Sequence, residues 1–600
     1  MSETSETDHQ AKAVPLALLR AEMEKRGLDG FVVPRSDEHQ GEYVPAHAQR
    51  LLWLTGFSGS AGMAVALSDR AALFVDGRYT LQAKAEVDGA LFELRHLVDQ
   101  PPHLWLAEVL GRDMKLGYDP WLHTPNAVEQ LRKICEKVGA ALVPCRDNPL
   151  DAVWDDQPAL PGMPFFPHPI QYAGEAAGDK RARLAAELQA AKIDAAVLSA
   201  PDSIAWLLNI RGADVPFAPL PLAFALLHAD ATVDLFVDPL KIGRDLRAVL
   251  GDAVRVVEPV RFGPALDKLR GKAVRLDPAS APAWVLDRLV DAHAVIDRGG
   301  DPCCLPKACK NTVELDGMRA AHLRDGLAVA RFLCWLDTAV LEEEIDEMVA
   351  ADMLEILRQQ GEHYCGPSFP TIAGAGPNGA VVHYRSTPET NRLLEPGQLF
   401  LLDSGGQYMD GTTDITRTIA IGAPGEEERR RFTLVLKGHI ALASALFPKG
   451  TTGSQLDALA RRALWADGLD YDHGTGHGVG SFLSVHEGPQ RISKMHSPQA
   501  LLPGMVLSNE PGYYEAGAYG IRIENLLVVI SGADGAGGRP MLGFDVLTLA
   551  PIDLSLVDAV LLAPEERAWL NAYHDHVRRT LSPLLESDVA IWLEEACRRI

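Results

Sequence analysis

Two hydrophobic rhythms alternate along the first half of the chain. Residues 16–26 carry apolar positions at helical spacing, and Gly27 and Gly30 punctuate the end of that stretch. FVVP at 31–34 is a short β-type run. AGMAVALS at 61–68 and AALFV at 71–75 are two more, separated by the turn-like Asp69 and Arg70. A helix is predicted to begin over 81–86. The same order then returns: a charged amphipathic helix over 179–192, a strand AAVLSA at 195–200, and a hairpin from FALLHA at 224–229 and VDLFVD at 233–238. Helix, strand and hairpin in the same sequence twice predict two related α/β domains.

Between them, residues 147–178 have few periodic positions and, counting Pro144, hold seven prolines up to Pro169, so they read as a linker. A second boundary falls near 300–311, in RGGDPCCLPKACK. Helix signals resume at Thr312, with Glu314 following. Long helical stretches over 312–338 and 343–360 precede short strands and Gly-rich turns. LFLLDSGG at 399–406 and ITRTIAIG at 415–422 read as strands, 426–447 and 453–465 as helices, and MVLSNEPGYY at 505–514 and YGIRIENLLVVI at 519–530 as strands again. Helical patterns fill 540–600 without a recognisable motif. The predicted division is 12–170, 171–311 and 312–540, with 541–600 a C-terminal subdomain packed on the third segment.

Composition narrows the classes. The length, 600 residues, is too great for one core and suggests about three or four domains. A formal charge of −24, from 81 acidic against 57 basic residues, argues against a nucleic-acid partner, which would need a basic face. The eight cysteines lack a paired framework, and Cys303, Cys304 and Cys309 have no second Cys/His pair at zinc-site spacing. They read as reduced thiols of a cytoplasmic protein. MSETSETDHQ at the start has no basic or apolar region of a secretory signal, and its composition predicts disorder over the first ten residues. No apolar run reaches membrane-spanning length, so no membrane partner is expected.

The chemistry concentrates in residues 383–524. Asp403 closes the apolar strand LFLLD, where a carboxylate is costly to bury unless paired or bound to a metal. Asp414 follows eleven residues later, close enough for a returning strand to bring the two together. On those two alone, ordinary hairpin polar groups explain the pattern. HGTGHGVGSFLSVHEGP at 473–489 then adds His473, His477 and His486 among glycines that let the backbone approach a ligand. Glu510 in LSNEPGYY and Glu524 in GIRIEN are two more acids, both expected within apolar strands. Arg522 shares the strand face of Glu524 and could be its salt-bridge partner. Four carboxylates and one imidazole form a hard, oxygen-rich donor set that suits Mn²⁺, with Co²⁺ or Zn²⁺ as alternatives. They carry more charge than one divalent ion needs, so two ions sharing bridging carboxylates is the natural reading.

The order Asp403, Asp414, His477, Glu510, Glu524 resembles the metal ligands of the "pita-bread" metallopeptidases (methionine aminopeptidase, prolidase and aminopeptidase P). The wording is closer still to the long, three-domain cytosolic aminopeptidase P family. It rests on VVHYRSTPETNR at 381–392, LLDSGGQYMDGTTDITRT at 401–418, LKGHIAL at 436–442, the glycine-histidine stretch above and EPGYYEAGAYGIRIEN at 510–525. It extends to DEHQGEY at 37–43, LTGFSGSAG at 54–62, VDGRYTLQA at 75–83 and IAWLLNIRGADVPF at 204–217, nearly the whole chain.

The resemblance implies two creatinase-like α/β domains before a pita-bread catalytic domain. It also implies an aminopeptidase that removes the residue preceding a second-position proline, using two divalent ions and a bridging hydroxide. By residue, it implies that Asp403 binds one ion, that Asp414 and Glu524 bridge both, and that His477 and Glu510 hold the other. Glu510 would also accept a proton from the attacking water. His383 and His486 would contact the substrate backbone, His473 would line the same pocket, and Arg522 would orient Glu524. Arg78 would be a substrate contact, and a homodimer is implied as well. Asn509 stands where close relatives are expected to carry an acid. Two rivals remain open at this point: a prolidase restricted to Xaa-Pro dipeptides, and a non-catalytic binding module on the same fold, which should have lost at least one of the five ligands.

Overall fold

The computed structural model describes residues 3–600, and the chain divides into two compact units. One holds the chain up to Pro169 together with Glu175–Cys303. The other holds Ile170–Gly174 and Cys304–Ile600.

The first unit contains two six-stranded sheets of one topology. In the first, the strands run Glu93–His96, Ala71–Val75, Met63–Leu67, Gly30–Pro34, Lys115–Tyr118 and Ala141–Pro144 across the sheet. In the second they run Val254–Val257, Val233–Phe236, Phe224–His228, Ala195–Leu198, Ala273–Arg275 and Val295–Asp297. Both sheets have the same mixture of directions. Two successive antiparallel pairings give the hairpin, and every other neighbour is parallel. The predicted repeat is therefore real.

Strand alternation explains why both faces are covered. Phe31 and Val33 pack with Leu16, Leu19 and Met23 of the helix Glu3–Arg26, whereas Val32 packs on the opposite face with Leu106, Leu131 and Cys135. That helix ends where Gly27 adopts a left-handed φ of 65°. It begins at Glu3, inside the stretch whose composition predicts disorder. Extending an anchored helix is cheap compared with nucleating one. Met1 and Ser2 lie outside the described residues.

The proline-rich stretch is more ordered than a linker. Phe166–Pro167 pairs antiparallel with Ile210–Arg211, and Ile170–Ala173 forms a short helix belonging to the second unit. Proline forbids regular periodicity but not edge pairing, which is why the pattern hid both.

In the second unit, two helices precede antiparallel strands, and this arrangement occurs twice. Thr312–Glu342 and Glu347–Gln359 precede the strands Ile372–Ala375, Leu399–Ser404 and Ile415–Ala420. Glu426–Ala443 and Gly453–Ala466 precede a six-stranded sheet that includes Gly476–Gly478, Glu487–Ile492, Val506–Asn509 and Asn525–Ser531. Thr312 starts its helix because Asn311 and Glu314 form a reciprocal capping box. Helices Pro564–Leu581 and Ser587–Ala596 bury Leu570, Val577, Leu581 and Leu593 in one core with Leu399, Val435, Ile440 and Ile521.

Parity sets the direction of the key strand. Phe400 and Leu402 pack outward against Phe332, Leu336 and Leu354 of the two helices. Leu399, Leu401 and Asp403 therefore face inward. The strand Tyr519–Arg522 lies so close to Gly379 that a Cβ on Gly520 would overlap the Gly379 carbonyl oxygen. Gly520→Ala should accordingly destabilise the fold by about 1–3 kcal/mol, read as a lowered urea midpoint. An unchanged midpoint would contradict the close approach.

Candidate metal centre

Asp403 sits opposite Thr416 in the antiparallel register of Leu399–Ser404 with Ile415–Ala420, and Asp414 immediately precedes that second strand. The other two acids do not lie within strands, contrary to the sequence reading. Val506–Asn509 stops before Glu510 because Pro511 cannot continue a ladder. The run over 519–530 is also two strands: Tyr519–Arg522 pairs with Gly512–Glu515, and Asn525–Ser531 pairs with Val506–Asn509. Glu524 occupies the crossing between sheets, where its amide donates to the Thr416 carbonyl at 3.1 Å. An apolar run looks continuous whether or not it changes partners, so periodicity could not mark the break.

These breaks bring the groups together. Ligand-type atoms of Asp414, His477 and Glu524 all lie within 4.8 Å of one another. His477 Nε2 is 3.4 Å from an Asp414 oxygen and 3.5 Å from a Glu510 oxygen. His477 Nδ1 contacts the Gly478 carbonyl oxygen at 3.0 Å. If Nδ1 carries the proton there, Nε2 is left free to ligate. Ser508 positions both neighbours: its hydroxyl oxygen accepts from the His477 amide and its proton goes to Glu510 at 3.1 Å.

Arg522 is fully buried and serves Asp403, not Glu524. It donates to an Asp403 oxygen at 2.7 Å, to the Tyr514 hydroxyl at 2.6 Å and to the Thr416 hydroxyl at 3.2 Å. The Thr416 hydroxyl in turn donates to Glu524 at 2.7 Å. Arg522 thus reaches Glu524 only through Thr416. Tyr514 joins the network to His473, whose Nε2 is 2.9 Å from its hydroxyl. Thr416, Ser508 and Tyr514 are residues that sequence reasoning missed. Thr416 was findable, since it follows Asp414 at strand period and shares its face. Tyr514 offered no signal beyond lying in PGYY.

The histidines flank this cluster. The His477 and His486 rings meet edge to face with centroids 4.3 Å apart. His383 is half-buried, and Arg522 donates to the carbonyl of its neighbour Val382 at 3.3 Å. Asn509 is buried and turns away from the carboxylates, exchanging bonds with His439 on the helix Glu426–Ala443: its amide donates to the His439 carbonyl at 2.9 Å. An acid there would lose that donor, so Asn509 suits its surroundings. Arg78 belongs to the first unit, where its guanidinium donates to Asp76 at 2.7 Å. Cys135, Cys145, Cys309, Cys334, Cys365 and Cys597 are free thiols.

Electrostatics shows what the cluster needs. Burial raises the Asp403 carboxyl to about 6 despite Arg522, with Asp414 and Glu510 adding repulsion. Burial, then Asp414, Glu510 and Asp403, hold Glu524 far above the carboxylate range. Burial opposes charge on His477, but Asp414 and Glu510 outweigh it and raise the imidazole to about 9. One Asp403 oxygen is buried with no hydrogen-bond partner. Four acids, an available imidazole nitrogen and an orphaned carboxylate oxygen fit divalent cations, which would replace the protons these groups otherwise retain.

The chain is similar to known proteins along nearly its whole length. A profile of metallopeptidase family M24 matches residues 316–531, and one for the C-terminal region of peptidase M24 matches 540–600. Two for the creatinase/prolidase N-terminal domain match 15–151 and 156–314. The chain is 39% identical over 596 residues to a probable Xaa-Pro aminopeptidase P of Ajellomyces dermatitidis, covering 96% of each. It is 40% identical over 605 residues to the Aspergillus niger protein of that name, covering 98% of each. The crystal structure of an X-prolyl aminopeptidase from Caenorhabditis elegans, described as a cytosolic enzyme with a di-nuclear active site, superposes with a TM-score of 0.94 at 35% identity. It covers 98% of this chain and all of that one.

A pH dependence follows from the raised groups. In metal-free protein, the stabilising contribution of protonated Asp403 is complete below pH 3.8 and disappears as pH rises through about 6. That of cationic His477 is present below 6.5 and lost through about 9. Both make metal-free protein less stable as pH rises, while cations bind the deprotonated forms. The gap in Tm between Mn²⁺-loaded and chelator-treated protein should therefore widen from pH 5 to pH 8, by scanning calorimetry. A gap independent of pH would contradict this account of the cluster.

Proposed function

The chain belongs to metallopeptidase family M24, among the Xaa-Pro aminopeptidases P, and from that premise we propose that it releases the N-terminal residue of peptides whose second residue is proline. It is a metallo-aminopeptidase built from two creatinase-like α/β domains and a pita-bread catalytic domain. The observation that carries the proposal is the convergence of Asp403, Asp414, His477, Glu510 and Glu524 in one largely buried cluster. A binding module that had abandoned catalysis would have no reason to keep it.

In this reading Asp403, Asp414, His477, Glu510 and Glu524 would hold two divalent ions, and the oxygen-rich set suits Mn²⁺. When bound, such ions polarise the scissile carbonyl and supply a hydroxide nucleophile at neutral pH. The protein's own groups do the rest. Glu510, held by Ser508, accepts the proton of the attacking water. His383 and His486 orient the substrate backbone and donate to the oxygen that gains charge. His473, fixed through Tyr514, lines the same pocket. Arg522 holds Asp403 in place and favours its charged form against burial. The tertiary amide before proline has no N–H, so recognition rests on the carbonyl, the free amine and the ring.

The domain limits 12–170, 171–311, 312–540 and 541–600 belong to the same reading. So do a cytoplasmic location, in keeping with the free thiols of Cys135, Cys145, Cys309, Cys334, Cys365 and Cys597, and a homodimer. No helix among the described residues is long and apolar enough to cross a membrane.

Substrate choice is tested with Ala-Pro-Ala, Ala-Pro and Ala-Ala-Ala on metal-stripped and Mn²⁺-loaded protein. Loaded protein should hydrolyse Ala-Pro-Ala far faster than Ala-Ala-Ala, and stripped protein neither. Cleavage of the dipeptide alone would make the protein a prolidase. Replacing His486 with alanine should lower kcat by about 10²–10³-fold, and a kcat within threefold of wild type would remove it from the reaction.

A further inference from the structure

Arg417 lies in the same strand as Thr416 and is buried at 3% exposure, yet its hydrogen-bond partners are all neutral. Its Nε donates to the Pro551 carbonyl at 2.8 Å. One terminal nitrogen donates to the Thr416 and Glu524 carbonyls at 2.9 and 2.7 Å. The other donates to Asn525 Oδ1, the Ala550 carbonyl and the Tyr573 hydroxyl, each at 2.9 Å. Burying a guanidinium without a carboxylate is costly, and burial lowers its pKa although Tyr573 and Glu524 oppose this. Such an arrangement is retained where its geometry matters, and here it meets Glu524.

Glu524 is held at three points. Its amide donates to the Thr416 carbonyl, its carboxylate accepts from the Thr416 hydroxyl, and its own carbonyl accepts from Arg417. Arg417 is fixed from the far side by the helix Pro564–Leu581, whose Tyr573 hydroxyl accepts from Arg417 and donates to the Ala550 carbonyl at 2.8 Å. We infer that Arg417 and Tyr573 are positioning residues for the metal centre, and that residues 541–600 serve it by clamping Arg417 on the backbone of Glu524. This gives a task to a segment in which the sequence shows no motif. It rests on the two-metal reading of the preceding subsection.

The test is a calorimetric Mn²⁺ titration of metal-stripped, full-length protein: wild type, Arg417→Lys, Tyr573→Phe and, as a packing control, Leu570→Ala. Lysine cannot span the six partners, so Arg417→Lys should weaken one of two sites by about 10–100-fold. Tyr573→Phe should weaken the same site several-fold. Leu570 lies in the apolar core on the same helix and is not one of the six hydrogen-bond partners of Arg417, so Leu570→Ala should lower Tm and leave both affinities unchanged. The inference is overturned if both Arg417→Lys and Tyr573→Phe titrate as wild type, or if Leu570→Ala weakens the site as much as they do. Should Arg417→Lys fail to fold, Tyr573→Phe decides on the same criterion. A wild type that takes up no ion would overturn the two-metal reading, and this inference with it.

Discussion

Four carboxylates within reach of one another, three of them buried, cannot all be ionised without positive charge, and the second unit is organised around that constraint. Arg522 supplies one charge and His477 can supply another, yet Asp403 and Glu524 still hold their protons well above the usual range. Such a cluster would be purged from a core that served only packing, because apolar residues of the same volume would stabilise it better. The acids are retained because cations complete them.

The supports around the cluster are neutral or singly charged groups that fix direction. Thr416 and Ser508 each hold one carboxylate by a hydroxyl, Tyr514 links Arg522 to His473, and Arg417 holds the backbone of Glu524. A strand parity places Asp403 on the inner face, and two broken strands release Glu510 and Glu524 from ladders that would have fixed their direction. The helices behind the sheets supply the apolar burial that makes the charges expensive, and hence makes cations effective.

Much of this was legible in the sequence. The repeated helix, strand and hairpin order predicted two related domains because each strand and helix there is long enough to show its period. The converging acids and His477 were legible because carboxylates and histidines are conspicuous in apolar or glycine-rich surroundings. What periodicity could not show was any change of partner along an unbroken apolar run. Glu510 and Glu524 were accordingly expected inside strands, and Arg522 was paired with its strand neighbour Glu524 when it serves Asp403 across the sheet. The short strand Phe166–Pro167 was hidden because proline removes the alternation that marks a strand. The role of residues 541–600 was invisible for a different reason: a single hydroxyl on a helix, Tyr573, reaches the centre through a side chain 156 positions away.

The most direct measurement of the central claim is anomalous diffraction at the manganese edge from crystals of Mn²⁺-loaded protein. The account requires two peaks about 3.5–4 Å apart, enclosed by Asp403, Asp414, His477, Glu510 and Glu524. A single peak, or two peaks held by other residues, would contradict it.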